Sequence, residues 1–222
     1  MMNTVFVSSY EEPEFNRKEI LRYAQCREAS EDVKSLMEEC IAEVSGKLSY
    51  KVCWREVCIN LGESFADFGF MRLESENLRK NLDGCSQAVL FGATVGIYMD
   101  RLIAKYSRVS PAKAVMMQAV GAERIEALCD AFSADVKARC EKNGHFTKPR
   151  FSPGYGDLSL EVQKDIFRVL DCPKNIGLSL SDSLLMTPTK SVTAIIGITE
   201  SEQQDKGNKC TDCQNFDCQF RS

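Results

Sequence analysis

Histidine occurs once in the 222 residues, at His145 in a polar loop after Gly144, and that scarcity excludes a histidine-rich metal centre. A solitary loop histidine is more often solvated than catalytic. Positive charge is also short. Lys and Arg number 28 against 32 Asp and Glu, a formal net charge of −4, so the basic footprint of a nucleic-acid binder is missing. Long hydrophobic runs are missing too. The longest, AVLFGATVGIYM at 88–99, is twelve residues with two glycines and a threonine, too short for a bilayer and suited to a buried strand. The opening MMNTVFVSSYEE has neither a basic region nor an apolar stretch long enough for a signal peptide, which predicts a cytoplasmic protein with no membrane and no nucleic-acid partner. No GxGxxG follows a strand, TPTKS at 187–191 lacks the glycines of a Walker loop, and there is no GxSxG elbow. With no evident nucleophile and no proton-transfer pair, any chemistry must belong to a bound cofactor that the protein positions.

Cysteine, by contrast, is abundant. The chain has eleven, and the odd number argues against a complete disulfide framework. Cys26, Cys40, Cys53, Cys58, Cys85, Cys129 and Cys140 fall inside helical or strand patterns, where a small thiol packs well in a reducing compartment. The tail KCTDCQNFDCQFR differs. Cys210, Cys213 and Cys218 lie in polar surroundings, a CxxC followed by a third thiol, and could ligate zinc or an iron–sulfur cluster with a fourth ligand from elsewhere. A tail with redox-labile thiols fits the same residues equally well.

Periodicity and punctuation predict helices opening at Asn16, at Ser30 (with Gly46 near its end) and at Ser75, then a helix over YMDRLIAKYSRV and a long one from Pro111 closed by Gly144. The stretch 50–73 reads as a strand or hairpin, 86–95 as a central strand, and two strand-like runs flank Ser181–Lys190. Helices and strands mix without βαβ regularity, and no linker separates two domains. The expectation is therefore an α+β single domain over 1–199, a mixed or antiparallel sheet flanked by helices, followed by a mobile, polar, cysteine-containing tail over 200–222.

One segment has an elaborate local chemistry. In RFSPGYGDLSLEVQKDIFRVLDCP, residues 150–173, Ser152-Pro153-Gly154-Tyr155 reads as a type II turn, with Pro presetting φ and Gly supplying φ > 0. Asp157 or Ser159 can cap the amphipathic helix that follows, and Cys172-Pro173 stops it. An arginine, a stiff turn with exposed amides and a helix start could hold a small ligand's carboxylate. The same residues also suit a loop with a solvated arginine.

RFSPGYGD, the long helix before it and SDSLLMTPTKSVTAIIG after it resemble the reactivation domain of cobalamin-dependent methionine synthase. The family's Arg-x-x-Pro-Gly-Tyr segment, which binds S-adenosylmethionine, is matched by Arg150, Pro153, Gly154 and Tyr155, with Ser152 at the family's small position. Its Met-x-Pro-x-x-Ser-Val-(Ser/Thr) segment is matched by Met186, Pro188, Ser191, Val192 and Thr193, and its helical glutamate by Glu126. The resemblance covers roughly residues 85–198. It implies a ligand site of Arg150, Ser152, Gly154, Tyr155 and Glu126, with Arg150 on the ligand carboxylate, and no catalytic side chain. It further implies a stand-alone module that supports reductive methylation of cobalamin held by a separate methionine synthase, the electron coming from a small redox protein. The chain has no DxHxxG with which to place a histidine beneath a corrinoid, so the cobalamin would arrive on that partner. Two other readings share the resemblance: a non-enzymatic S-adenosylmethionine-binding or regulatory protein, and a repair factor for another corrinoid methyltransferase. The tyrosine-rich strands that follow the second motif in the family are replaced here by AIIGITESEQQ and the cysteine tail.

Overall fold

A computed structural model of the chain describes residues 4–26 and 28–201. The first strand, β1 (Phe6–Ser9), leads to α1 (Arg17–Tyr23), which Asn16 caps by accepting the Glu19 N–H, and to α2 (Glu31–Val44), which Ser30 caps through the Val33 N–H. The stretch expected as a strand or hairpin resolves into β2 (Lys51–Cys58) and a small antiparallel sheet of β3 (Asn60–Leu61), β4 (Phe65–Asp67) and β5 (Arg72–Glu74). Next come α3 (Glu76–Asn81), β6 (Cys85–Thr94), α4 (Tyr98–Val109) and α5 (Pro111–Glu141). After β7 (Phe146–Thr147) follow α6 (Val162–Leu170), α7 (Cys172–Ile176), the β8 (Ser179–Leu180) and β9 (Met186–Thr187) hairpin, and β10 (Ser191–Thr199).

The main sheet has the order β1-β2-β6-β10-β7, and every pairing is antiparallel. This is the expected α+β domain with its antiparallel sheet, and β6 is central as its apolar run requires. Alternate residues of β6 feed two cores. Val89, Phe91 and Ala93 face α1, α2, α4 and α5, while Ala88 and Leu90 face α3, α6, α7 and the small sheet. Six of the eight described cysteines are buried as packing groups; Cys26 is half-buried and Cys58 is exposed at the end of β2. On the α6 side the Cys53 and Cys172 thiols meet at 3.7 Å beside Gly92.

Asp157 is a correction to the sequence reading. It does not cap α6, which starts at Val162 without a side-chain cap. Its carboxylate instead accepts the N–H groups of Glu76 (2.7 Å) and Asn77 (3.3 Å) and the hydroxyl of Ser75, closing the N-terminus of α3 from across the fold. Two orphan N–H groups and a hydroxyl there give a carboxylate more than the short approach to α6 could. Ser159 does accept the Glu161 N–H, one turn before α6.

No helix among the described residues is long and apolar enough to cross a membrane. Cys210, Cys213 and Cys218, and with them the expected metal site and nearly all of the expected tail, lie outside the described residues.

Candidate functional site

The segment that carries Arg150 is laid along the free edge of β10. Phe146 and Thr147 pair with Thr199 and Ile198, the Lys148 N–H donates to Gly197 O, and Phe151 exchanges two backbone hydrogen bonds with Ile195. Side chains alternate along this run, so Phe151 packs into the α6-side core while Arg150 turns the other way, onto α5. There its guanidinium donates from Nη2 to Glu126 Oε2 and from Nη1 to Asp130 Oδ1, both at 2.6 Å. Burial alone would lower the Arg150 pKa; the bonds to Asp130 and Glu126 outweigh it and hold the pKa raised, so this cation is permanent.

Beyond Arg150 the chain makes the expected turn. The Tyr155 N–H donates to Ser152 O at 3.2 Å, and Gly154 has φ +90°, as the third position of a type II turn requires. Pro153 is buried and anchors the turn, whereas Gly154 and Tyr155 are exposed, Tyr155 by 70%. The Gly154 N–H closes back on Leu158 O at 2.9 Å. Helix α3 grips both ends of the segment: Asn81 Nδ2 donates to Pro149 O, and Asp157 clasps residues 75–77. Gly156 lies so close to Asn77 that a Cβ there would sit 2.6 Å from its amide nitrogen. The turn is thus a rigid projection.

The fold therefore brings Arg150 and Glu126 into direct contact and sets Ser152, Gly154 and Tyr155 on the adjoining turn. Two neighbours escaped the sequence reading. Asp130 was legible only as a carboxylate four residues after Glu126, on the same helical face. Tyr23, at the end of α1, is close enough to Glu126 that the carboxylate adds to burial in raising the phenol's pKa. The second motif serves the sheet. Ser191 Oγ is within hydrogen-bond distance of Pro188 O (2.7 Å) and Thr94 Oγ1 (2.8 Å), tying the start of β10 to the end of β6, and Met186 packs into the α6-side core. Among the described residues no group of three His, Cys, Asp or Glu is placed to hold a metal ion.

What the arrangement offers is a guanidinium fork held against two carboxylates of α5, with a glycine turn following directly in the chain. That set suits a small zwitterion carrying a carboxylate and a positive charge.

A family model described as vitamin B12 dependent methionine synthase, activation domain, matches residues 78–217. Among solved structures, the chain is similar to one described as the crystal structure of the MetH reactivation domain bound to AdoHcy. The TM-score is 0.65 and the identity 13%, with 90% of this chain and 80% of that chain covered, a likeness of fold. No curated protein matches the sequence.

Proposed function

This chain belongs to the activation domain family of vitamin B12 dependent methionine synthase, and we propose that it binds S-adenosylmethionine at Arg150 and Glu126 to support reductive methylation of a cobalamin held by another protein. The observation that carries the reading is the meeting of Arg150 and Glu126 at 2.6 Å, from segments 24 residues apart, beside a Pro-Gly turn whose glycine has φ +90°. That the neighbour of similar fold is bound to AdoHcy supports the same ligand class.

In this reading the ligand's α-carboxylate takes the Arg150 fork, where two parallel N–H bonds match a planar anion. Glu126 receives the α-ammonium. Gly154 keeps side-chain atoms out of the way, so the backbone of residues 152–155 can approach the ligand closely. Tyr155, standing free on the projection, covers the ligand from the solvent side. A corrinoid on the partner would supply the nucleophile for the methyl group, with an electron from a small redox protein, and S-adenosylhomocysteine would be left on this chain. This chain's residues are left with binding and alignment. Zinc or an iron–sulfur cluster on Cys210, Cys213 and Cys218 would be an addition to this function and not a requirement of it, because every ligand residue named precedes the tail.

Calorimetric titration of the full chain with S-adenosylmethionine tests the reading. Saturable one-to-one binding is the expected result. Absence of binding, both alone and with a cobalamin-loaded methionine synthase, would overturn it.

A further inference from the structure

The binding role above uses one carboxylate of α5 and leaves the other without a task. Glu126 and Asp130, one helical turn apart, each take a separate N–H edge of the Arg150 guanidinium at 2.6 Å. One cation against two anions leaves the cluster with a net charge of −1, and each terminal nitrogen of the fork already donates to a carboxylate. A ligand carboxylate that takes both terminal nitrogens side by side competes with the two acids for them.

The two are not equivalent. The Asp130 side chain is 70% exposed and that of Glu126 is 41% exposed. Glu126 also has Tyr23 of α1 beside it. Asp130 regains full hydration on release and, being the more exposed acid, gives up the weaker of the two ion pairs. Arg150 itself is only 26% exposed and is held by the edge of β10, so the acid moves and the arginine stays.

We propose that Asp130 is a latch on Arg150. In the ligand-free protein it occupies the edge of the guanidinium that an incoming α-carboxylate needs, so that binding is an exchange of one carboxylate for another. The latch rests on the assignment of Arg150 to the ligand carboxylate. It keeps the buried stem of Arg150 in its binding orientation before the ligand arrives, and it sets the affinity by competing for the same N–H group. It applies to any ligand with an α-amino carboxylate, whether or not a sulfonium is attached.

The sign of one substitution separates the latch from simple attraction. S-adenosylmethionine carries a net positive charge, so an acid that merely attracted it would weaken binding when neutralised. A latch does the opposite. Asp130→Asn is expected to tighten S-adenosylmethionine about two- to fivefold, the range of an exposed ion pair. The same gain is expected for S-adenosylhomocysteine, which has the same carboxylate and no sulfonium charge. In an Arg150→Ala background the gain should vanish, and Glu126→Gln should weaken binding, since Glu126 keeps its place. Titration calorimetry on the full chain reads all four variants. If Asp130→Asn binds as the unsubstituted chain does or more weakly, while Arg150→Ala still loses affinity, the latch is wrong and the binding site stands. If Arg150→Ala binds as well as the unsubstituted chain, or nothing binds, the site assignment is wrong and the latch falls with it.

Discussion

Arg150 carries the functional reading because its guanidinium is both fixed and accessible from one side, held by β10 at its backbone and by α5 at its tip. Removing it takes a charge-assisted pair from the ligand but opens no sizeable core cavity. Arg150→Ala is therefore expected to weaken S-adenosylmethionine by roughly ten- to a hundredfold, about 1.5–3 kcal/mol, with a cooperative melt retained. Arg150→Lys should recover only part, since an ammonium makes no fork. Calorimetry checks both, and equal affinities across the three proteins would remove Arg150 from the site. Gly154 makes a second residue-scale case. Its φ of +90° is one that L side chains rarely adopt, and an added Cβ would come within 3.2 Å of Leu160 Cδ1. Gly154→Ala should lower the stability by about 1–2 kcal/mol and weaken the ligand as well. Ser152→Ala, without either constraint, should do little, and thermal melts with and without ligand will separate the two.

At the scale of elements, α3 is the piece that sets the turn, and Asp157 is how it does so. The Asp157 carboxyl is held below its usual range, first by the Ser75 hydroxyl and then by the Glu76 and Asn77 amides. A depressed folded pKa means that the stabilisation is present above the unfolded value, near 4, and is lost as pH falls through the folded one. Asp157→Ala should cost about 1 kcal/mol at neutral pH, as loss of a helix cap does, with the difference from the unsubstituted chain shrinking below about pH 4. Urea unfolding at pH 7 and pH 3 measures it; a difference constant across that span would mean that Asp157 acts as a neutral spacer. Asp157 also marks the boundary of what local patterns reveal. Its neighbours suggested a cap for α6, because Asp and Ser before an amphipathic run are a cap signal, and the actual partner is 81 residues away. By contrast the turn at 152–155, the caps at Asn16 and Ser30, and α5 after Pro111 were legible, since each follows from residues adjacent in sequence. β1 was not: FVSS is too short to show alternation and becomes a strand only because β2 accepts it. That Arg150 and Glu126 share a site could be read only through the family resemblance; their direct pairing, and Asp130 as the second partner, could not be read even there.

The whole molecule depends on parts that the family match does not reach. The match begins at residue 78, whereas β1, α1, α2 and β2 all precede it. Strand β2 pairs with β6 over eight residues, from Lys51↔Thr94 to Cys58↔Gln87, and without it a central strand would become an open edge. The α5-side core would lose Ile20, Ile41, Val44, Val52 and Trp54. A polar clasp is lost in the same cut. Arg124, fully buried on α5, donates to Glu123 and to the carbonyls of Pro13 and Glu14 and stacks 3.8 Å from the Phe15 ring, while Glu123 accepts the Asn16 N–H. Arg124→Met in the full chain would strand the Glu123 carboxylate and release residues 13–16, and is expected to destabilise by about 3–5 kcal/mol in denaturant unfolding. A loss under 1 kcal/mol would show that the clasp is peripheral. The fragment 78–217 should go further and fail to fold: no cooperative melt, dispersed amide signals absent, and a tendency to associate through the bared edge of β6. Deletion from residue 202 onward should leave both the melt and the S-adenosylmethionine affinity unchanged, because the sheet, both cores and Arg150 with its partners lie before that point. A fragment 78–217 that melts cooperatively would mean that the N-terminal third is an addition to a self-sufficient domain, whereas its failure beside an intact 1–201 would make the strands and helices before residue 78, β1, α1, α2 and β2 above all, part of the machinery that holds Arg150 in place.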